Sequence, residues 1–172
     1  MSADGILVVG GGGPLGAAIS RQLRTHDIDF ITTSRSGRGR RLDVSDPASV
    51  DAVLSMARPR SVIYLANPGV EDTMEEATIR ASVGDLRRFV EQSAEHGVER
   101  LVFASSAAVY GTEWDAPIDE TVEPRGGSAY AAVKLRSEAV LAEASGAGYP
   151  TGVALRIFNI YGPGFDLSLI HI

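Results

Sequence analysis

A chain of 172 residues with 44% hydrophobic content can bury one core and is the right length for one domain. Its net charge of −6 and pI near 5.0 argue against nucleic acid as a partner, and the arginine-rich run at 35–41 is too short to reverse that. The absence of cysteine excludes disulfides and thiolate metal sites. No targeting segment or run of membrane-spanning length is visible, so a soluble cytoplasmic protein without a membrane partner is expected.

In chain order, GILVV (5–9) reads as a buried strand, and 15–23 as a helix with Leu15, Ala18, Ile19 and Leu23 on one face. Between them, Gly10, Gly13 and Gly16 are spaced G-x-x-G-x-x-G. Glycines between a strand and a helix permit a tight turn, close approach of backbone to a pyrophosphate, and a helix N-terminus facing its charge. Dinucleotide binding is the expectation.

IDFITT (28–33) is a second strand, followed by Ser34-Arg35-Ser36. An NAD-selective site usually presents a carboxylate there to the ribose 2′-hydroxyl. Arg35 would instead pair with a 2′-phosphate, which favours NADP. A helix follows at 47–56, with Asp46 as N-cap and Pro47 in its first position.

SVIYLA (61–66) is a third strand, and 72–96 is helical with Gly97 closing it. RLVFASS (100–106) gives a fourth strand and puts Ser106 at its carboxyl end, where ligands of open parallel sheets sit. Ser106 is therefore a candidate donor to a substrate oxygen. A helix at 128–145 ends at Gly146, and TGVALRIF (151–158) is a fifth strand. This alternation predicts an α/β fold, a parallel sheet covered on both faces.

SAYAAVK (128–134) holds the only lysine, in a chain with fifteen arginines. Tyr130 and Lys134 are i and i+4, on one helix face. A free phenol, with a pKa of about 10, is a poor base at neutral pH, and a neighbouring ammonium favours its ionised form. A compact ammonium can also serve a ribose hydroxyl and a phenol together, which a guanidinium fork does poorly. His26 and His96 show no metal-ligand spacing, so no metal is expected.

Taken together, ILVVGGGGPLG, RLDVSDPASV, VIYLANP, LVFASSAAVYG, SAYAAVK and LRIFNIYGPG resemble, in order, the motifs of the extended short-chain dehydrogenase/reductases, the NAD-dependent epimerase/dehydratase group. The resemblance implies a Rossmann-type doubly wound parallel sheet whose C-terminal substrate-binding part is missing. It implies Ser106, Tyr130 and Lys134 as the catalytic set. Tyr130 would exchange a proton with the substrate, Lys134 would hold the nicotinamide ribose, and Ser106 would orient the substrate oxygen.

By the same resemblance, Gly10, Gly13, Pro14, Leu15 and Gly16 form the cofactor's glycine loop, and Ser34 and Arg35 meet its ribose. Asp43 and Val44 would contact the adenine, Leu65 and Ala66 the cofactor's middle, and Asn159 the substrate. The loop 111–127 would face the substrate, with Asp119 and Glu120 solvated or capping. The chain departs from the pattern at Val9, Pro14 and Ala81, the last standing where the family often has asparagine, and at Ser34-Arg35.

The expected function is NAD(P)-dependent epimerisation, dehydration or dehydrogenation of a nucleotide-sugar or related hydroxyl or carbonyl substrate. The alternatives are an NADPH-dependent reductase of a small carbonyl compound and a non-catalytic NAD(P)-binding sensor. The cofactor is NAD or NADP, with NADP favoured by Arg35. A homodimer through Ala131, Ala132, Val133 and Leu135 is an open expectation, since these residues can equally be core. The last six residues, LSLIHI, resemble a translated sequencing-library adapter. The expected organisation is thus an incomplete NAD(P)-binding domain at 1–166 with a foreign tail at 167–172.

Overall fold

The computed structural model describes residues 5–36, 39–67, 75–112, 114–147 and 150–162. The expected tail at 167–172 lies outside them. The elements are β1 (Ile6–Val9), α1 (Pro14–Thr25), β2 (Phe30–Ser34), β3 (Arg40–Arg41), α2 (Pro47–Ala57), β4 (Ser61–Tyr64), α3 (Glu76–Glu95), β5 (Arg100–Ser106), α4 (Ala129–Gly146) and β6 (Thr151–Ile157). A single 3₁₀ turn, Ala107–Tyr110, follows β5.

All pairings are parallel, in the order β3-β2-β1-β4-β5-β6. The sequence shows five strands, and the sheet has a sixth. The third of the five, Ser61–Tyr64, pairs with β1 and not with β2. The place beside β2 belongs to a two-residue strand, Arg40–Arg41, too short to carry any hydrophobic period.

The helix ends follow local chemistry. Asp46 accepts from the Ala48 amide at 3.0 Å and so caps α2, with Pro47 in the first turn. Gly97 takes φ +74° after α3, and the Val98 amide reaches back to the Ser93 carbonyl. Ser128 caps α4 through the Ala131 amide at 3.1 Å. In α1 the buried stripe is Gly16, Ser20 and Leu23, which leaves Leu15, Ala18 and Ile19 outside it.

Right-handed crossovers place α2, α3 and α4 on one face of the sheet and α1 on the other. The first face holds the core. Leu7, Val9, Val62, Tyr64, Leu101 and Phe103 point from the strands at Leu54, Leu86, Phe89 and Val140 of the helices. Tyr64 packs edge-on against Phe89 with ring centroids 5.1 Å apart.

The second face is covered only where α1 lies. Ser20 of α1 hydrogen-bonds Thr32 of β2 at 3.1 Å. One lateral row across this face is Val8, Ile63, Val102 and Val153. Val8 is fully buried, Ile63 and Val102 are partly so, and Val153 is 47% exposed, with Leu155 beside it at 48%. The expectation of cover on both faces thus holds for the β1 side and fails toward β6, where no helix of the described residues packs.

Candidate active site

A cleft of about 720 Å³ opens along the carboxyl edge of the sheet, bounded by the glycine turn, the ends of β2 and β4, and helices α3 and α4. Open α/β sheets bind ligands at this edge. Of the residues singled out in the sequence, Gly10, Gly13, Ser34, Arg35, Asp43, Val44, Leu65, Ala66 and Lys134 line it. Pro14, Leu15, Gly16, Ser106, Tyr130 and Asn159 do not.

The three glycines have different reasons to be glycine. Gly10 has φ +78°, and a Cβ there would lie 2.6 Å from the Ala66 amide nitrogen. Gly16 is a packing position, where a Cβ would meet the Gly11 Cα at 2.4 Å. Gly13 precedes α1 with φ −88° and no side-chain cap, and a Cβ would find nothing within 4 Å. Gly13 therefore keeps open the space before the amides of the first turn of α1, which attract an anion.

Across the cleft, Asp43 accepts from the Ser45 amide at 3.0 Å and from its hydroxyl at 2.7 Å. These bonds hold the Asp43 carboxyl below its usual range, with Arg35 and Arg41 adding attraction. Arg35 is exposed at the rim. Asn67, which follows Ala66 at the end of β4, has a buried Oδ1 with no hydrogen-bond partner among the described residues. A buried acceptor without a donor fits a ligand hydroxyl, and the open cradle of amides beside it fits a phosphate.

The second group gathers around the end of β5. Lys134 is 4% exposed, and its ammonium donates to the Ala104 carbonyl at 2.6 Å. It lies 4.7 Å from the centroid of the Phe103 ring and 5.4 Å from that of Tyr130. Burial pulls the ammonium down to about 8, against the opposing pull of Glu138. Ser106 hydrogen-bonds Tyr130 and also accepts from the Ala108 amide at 3.2 Å.

One expectation is corrected here. The i, i+4 spacing predicts that the ammonium lowers the Tyr130 phenol, yet the phenol is pushed up. Burial is the larger cause, and only the Ser106 hydrogen bond opposes it. The ammonium gives no relief because burial brings Lys134 down to about 8, so it loses its charge before the phenol ionises.

Asn159 is exposed beyond β6 and stays apart from the cleft. Ala131 and Val133, read as candidate dimer contacts, are buried in the core, while Ala132 and Leu135 are half-buried. In the loop after β5, Asp119 caps a turn by accepting from the Thr121 amide at 2.9 Å.

Sequence reading passed over several residues. Asp85 lines the cleft from α3, its carboxyl raised by burial despite its Arg88 partner. Trp114 donates to the Tyr110 carbonyl at 2.8 Å, and Arg125 stacks 4.5 Å over its ring, clipping the loop. Glu138 and Arg156 pair behind Lys134 at 2.8 Å. Only Glu138 had a local signal, as a lone carboxylate one turn beyond the lysine.

A parallel sheet with a glycine turn before its first helix and a cleft at its switch point defines a Rossmann-type domain. The chain belongs to the NAD dependent epimerase/dehydratase family, whose model matches residues 6–171. It is similar to dTDP-L-rhamnose 4-epimerase of Burkholderia thailandensis, with 30% identity over 95% of this chain and 60% of that one. Among solved structures it resembles UDP-glucose 4-epimerase of Thermus thermophilus in complex with NAD (29% identity, TM-score 0.84, 95% of this chain and 58% of that one). It also resembles MoeE5 in complex with UDP-glucuronic acid and NAD (31% identity, TM-score 0.79, 96% and 58%). The chain spans a little over half the length of these relatives. Among the described residues, no helix is long and apolar enough to cross a membrane.

Proposed function

We propose that the chain is the cofactor-holding half of an NAD(P)-dependent enzyme that epimerises, dehydrates or dehydrogenates a nucleotide-sugar or a related hydroxyl or carbonyl compound. The observation that carries this reading is the convergence of Ser106, Tyr130 and Lys134 on the end of β5, beside the cleft bounded by the glycine turn. Relatives described as complexes with NAD, UDP-glucose or UDP-glucuronic acid support the substrate and cofactor classes.

In this reading the glycine turn and the N-terminus of α1 hold the pyrophosphate, and Asp43 and Val44 border the adenine. Leu65, Ala66 and Asn67 flank the middle of the cofactor, and Lys134 meets the nicotinamide ribose. The bound dinucleotide supplies or accepts a hydride. The chain's own residues manage the proton.

Burial keeps the Tyr130 phenol protonated at neutral pH, so its resting role is that of an acid donating to a substrate carbonyl oxygen. Proton removal from a substrate hydroxyl needs the Lys134 ammonium redirected from Ala104 toward the phenol and ribose. Ser106 shares its hydroxyl with Tyr130 and orients the same substrate oxygen.

The test uses the complete polypeptide that carries this chain, with UDP-glucose and NAD as first probes. Tyr130→Phe is expected to lower turnover by about 10²–10⁴-fold while cofactor affinity is little changed. Unchanged turnover would remove Tyr130 from the chemistry.

Arg35 at the rim of the cleft supports NADP as the preferred cofactor, and with it the reading as a reductase of a small carbonyl compound. Arg35→Asp should move the NADP-to-NAD affinity ratio toward NAD by about tenfold or more. A constant ratio in titrations of the two cofactors would make Arg35 a surface residue only.

A further inference from the structure

Tyr130, Lys134 and Glu138 stand one turn apart along α4, and they meet the last three residues of β5. Tyr130 hydrogen-bonds Ser106, Lys134 donates to the Ala104 carbonyl, and the Ser105 hydroxyl donates to Glu138. Glu138 also receives Arg156 of β6 through Nε at 3.2 Å and Nη2 at 2.8 Å. Arg156 extends the chain of contacts, donating through Nη1 to the Tyr110 hydroxyl at 2.9 Å.

We infer that Glu138, clamped by Arg156 and Ser105, is a positioning residue that fixes α4 on β5 and sustains the charge of Lys134. The clamp joins four elements: α4, β5, β6 and the 3₁₀ turn. The Glu138 side chain is only 13% exposed and that of Arg156 22%, unlike the surface pairs elsewhere in the chain. A partly buried ion pair adds little net stability over an apolar replacement, so its value lies in direction. A guanidinium fork on a carboxylate allows little rotation or sliding. Any slip of α4 along β5 would carry Tyr130 and Lys134 with it.

The charges alternate Lys134, Glu138, Arg156. Other groups also face Lys134. Tyr130 lies on its own helix; Tyr64 of β4 and Asp85 of α3 line the same cleft, with Asp43 and Arg35 on its far wall. Glu138 is the charge that opposes the effect of burial on the ammonium. Arg156 restrains that help by sharing the carboxylate.

The inference rests on reading Tyr130 and Lys134 as the reacting pair, but its test does not depend on turnover. In the complete polypeptide labelled with ¹³Cε-lysine, the resonance that disappears in Lys134→Arg is that of Lys134, the only lysine of these 172 residues, and its titration is followed alone. The wild-type midpoint is expected near 8. Glu138→Gln should lower it by about one pH unit, and Arg156→Met should raise it.

Loss of structure cannot imitate the first result, since an unfolded lysine titrates higher, at about 10.4. A Glu138→Gln midpoint equal to or above wild type would overturn the inference, as would an Arg156→Met midpoint equal to or below it. Failure of the Tyr130→Phe turnover test alone would leave this clamp in place and remove only the chemistry assigned to it.

Discussion

The two sides of the sheet solve opposite problems. Around β1 the site is made by leaving side chains out: Gly10, Gly13 and Gly16 let backbone approach backbone and leave a space open. Around β5 and β6 it is made by long side chains reaching across elements: Lys134 to Ala104, Glu138 to Ser105 and Arg156, Arg156 to Tyr110. The β1 side is sealed by α1, whereas the β6 side leaves Val153 and Leu155 about half exposed. A backbone cradle is rigid once its strand and helix form. A side-chain lattice is only as fixed as its charges and hydrogen bonds.

The contrast can be broken first at the glycines, where the largest effects are expected. Gly16→Val forces a side chain onto the Gly11 backbone and should cost about 2–4 kcal/mol, read as a fall in Tm. Gly13→Ala has room and a permissive φ, so Tm should stay near wild type while dinucleotide affinity falls, measured by calorimetric titration. Equal losses of stability in both variants would show that the three glycines share a single packing role.

A smaller effect sharpens the same comparison along one lateral row. Val8→Thr buries a hydroxyl and should cost about 1–3 kcal/mol by urea unfolding. Val153→Thr, in the same row but 47% exposed, should change stability by about 0.5 kcal/mol or less. Similar costs at the two ends would mean that the β6 side is covered in solution as firmly as the β1 side.

Much of the site was legible because its signals are local. The glycine spacing marks a turn whatever lies around it, and Asp46-Pro47 marks a helix start. The i, i+4 spacing of Tyr130 and Lys134 places both on one face. The direction of the Lys134 ammonium was not legible, because the Ala104 carbonyl that captures it is 30 residues away in sequence. Burial was equally invisible in the sequence, and desolvation turns the expected lowering of the phenol into a rise. Glu138 and Arg156 lie 18 positions apart, and nothing in either local pattern pairs them.

The sequence alone determined the alternation of strands and helices, the cradle of glycines, the caps and the tyrosine–lysine face. These are properties of neighbouring residues, set by φ preferences, hydrophobic period and capping chemistry. Tertiary structure decided where the strand Ser61–Tyr64 pairs, which face α1 covers, and how Asn67 and Asp85 enter the cleft. It also decided that the only lysine is buried between a carbonyl and two rings, with a clamped carboxylate one turn behind it. Desolvation and long-range charge depend on what the fold brings close, and sequence separation does not record that distance.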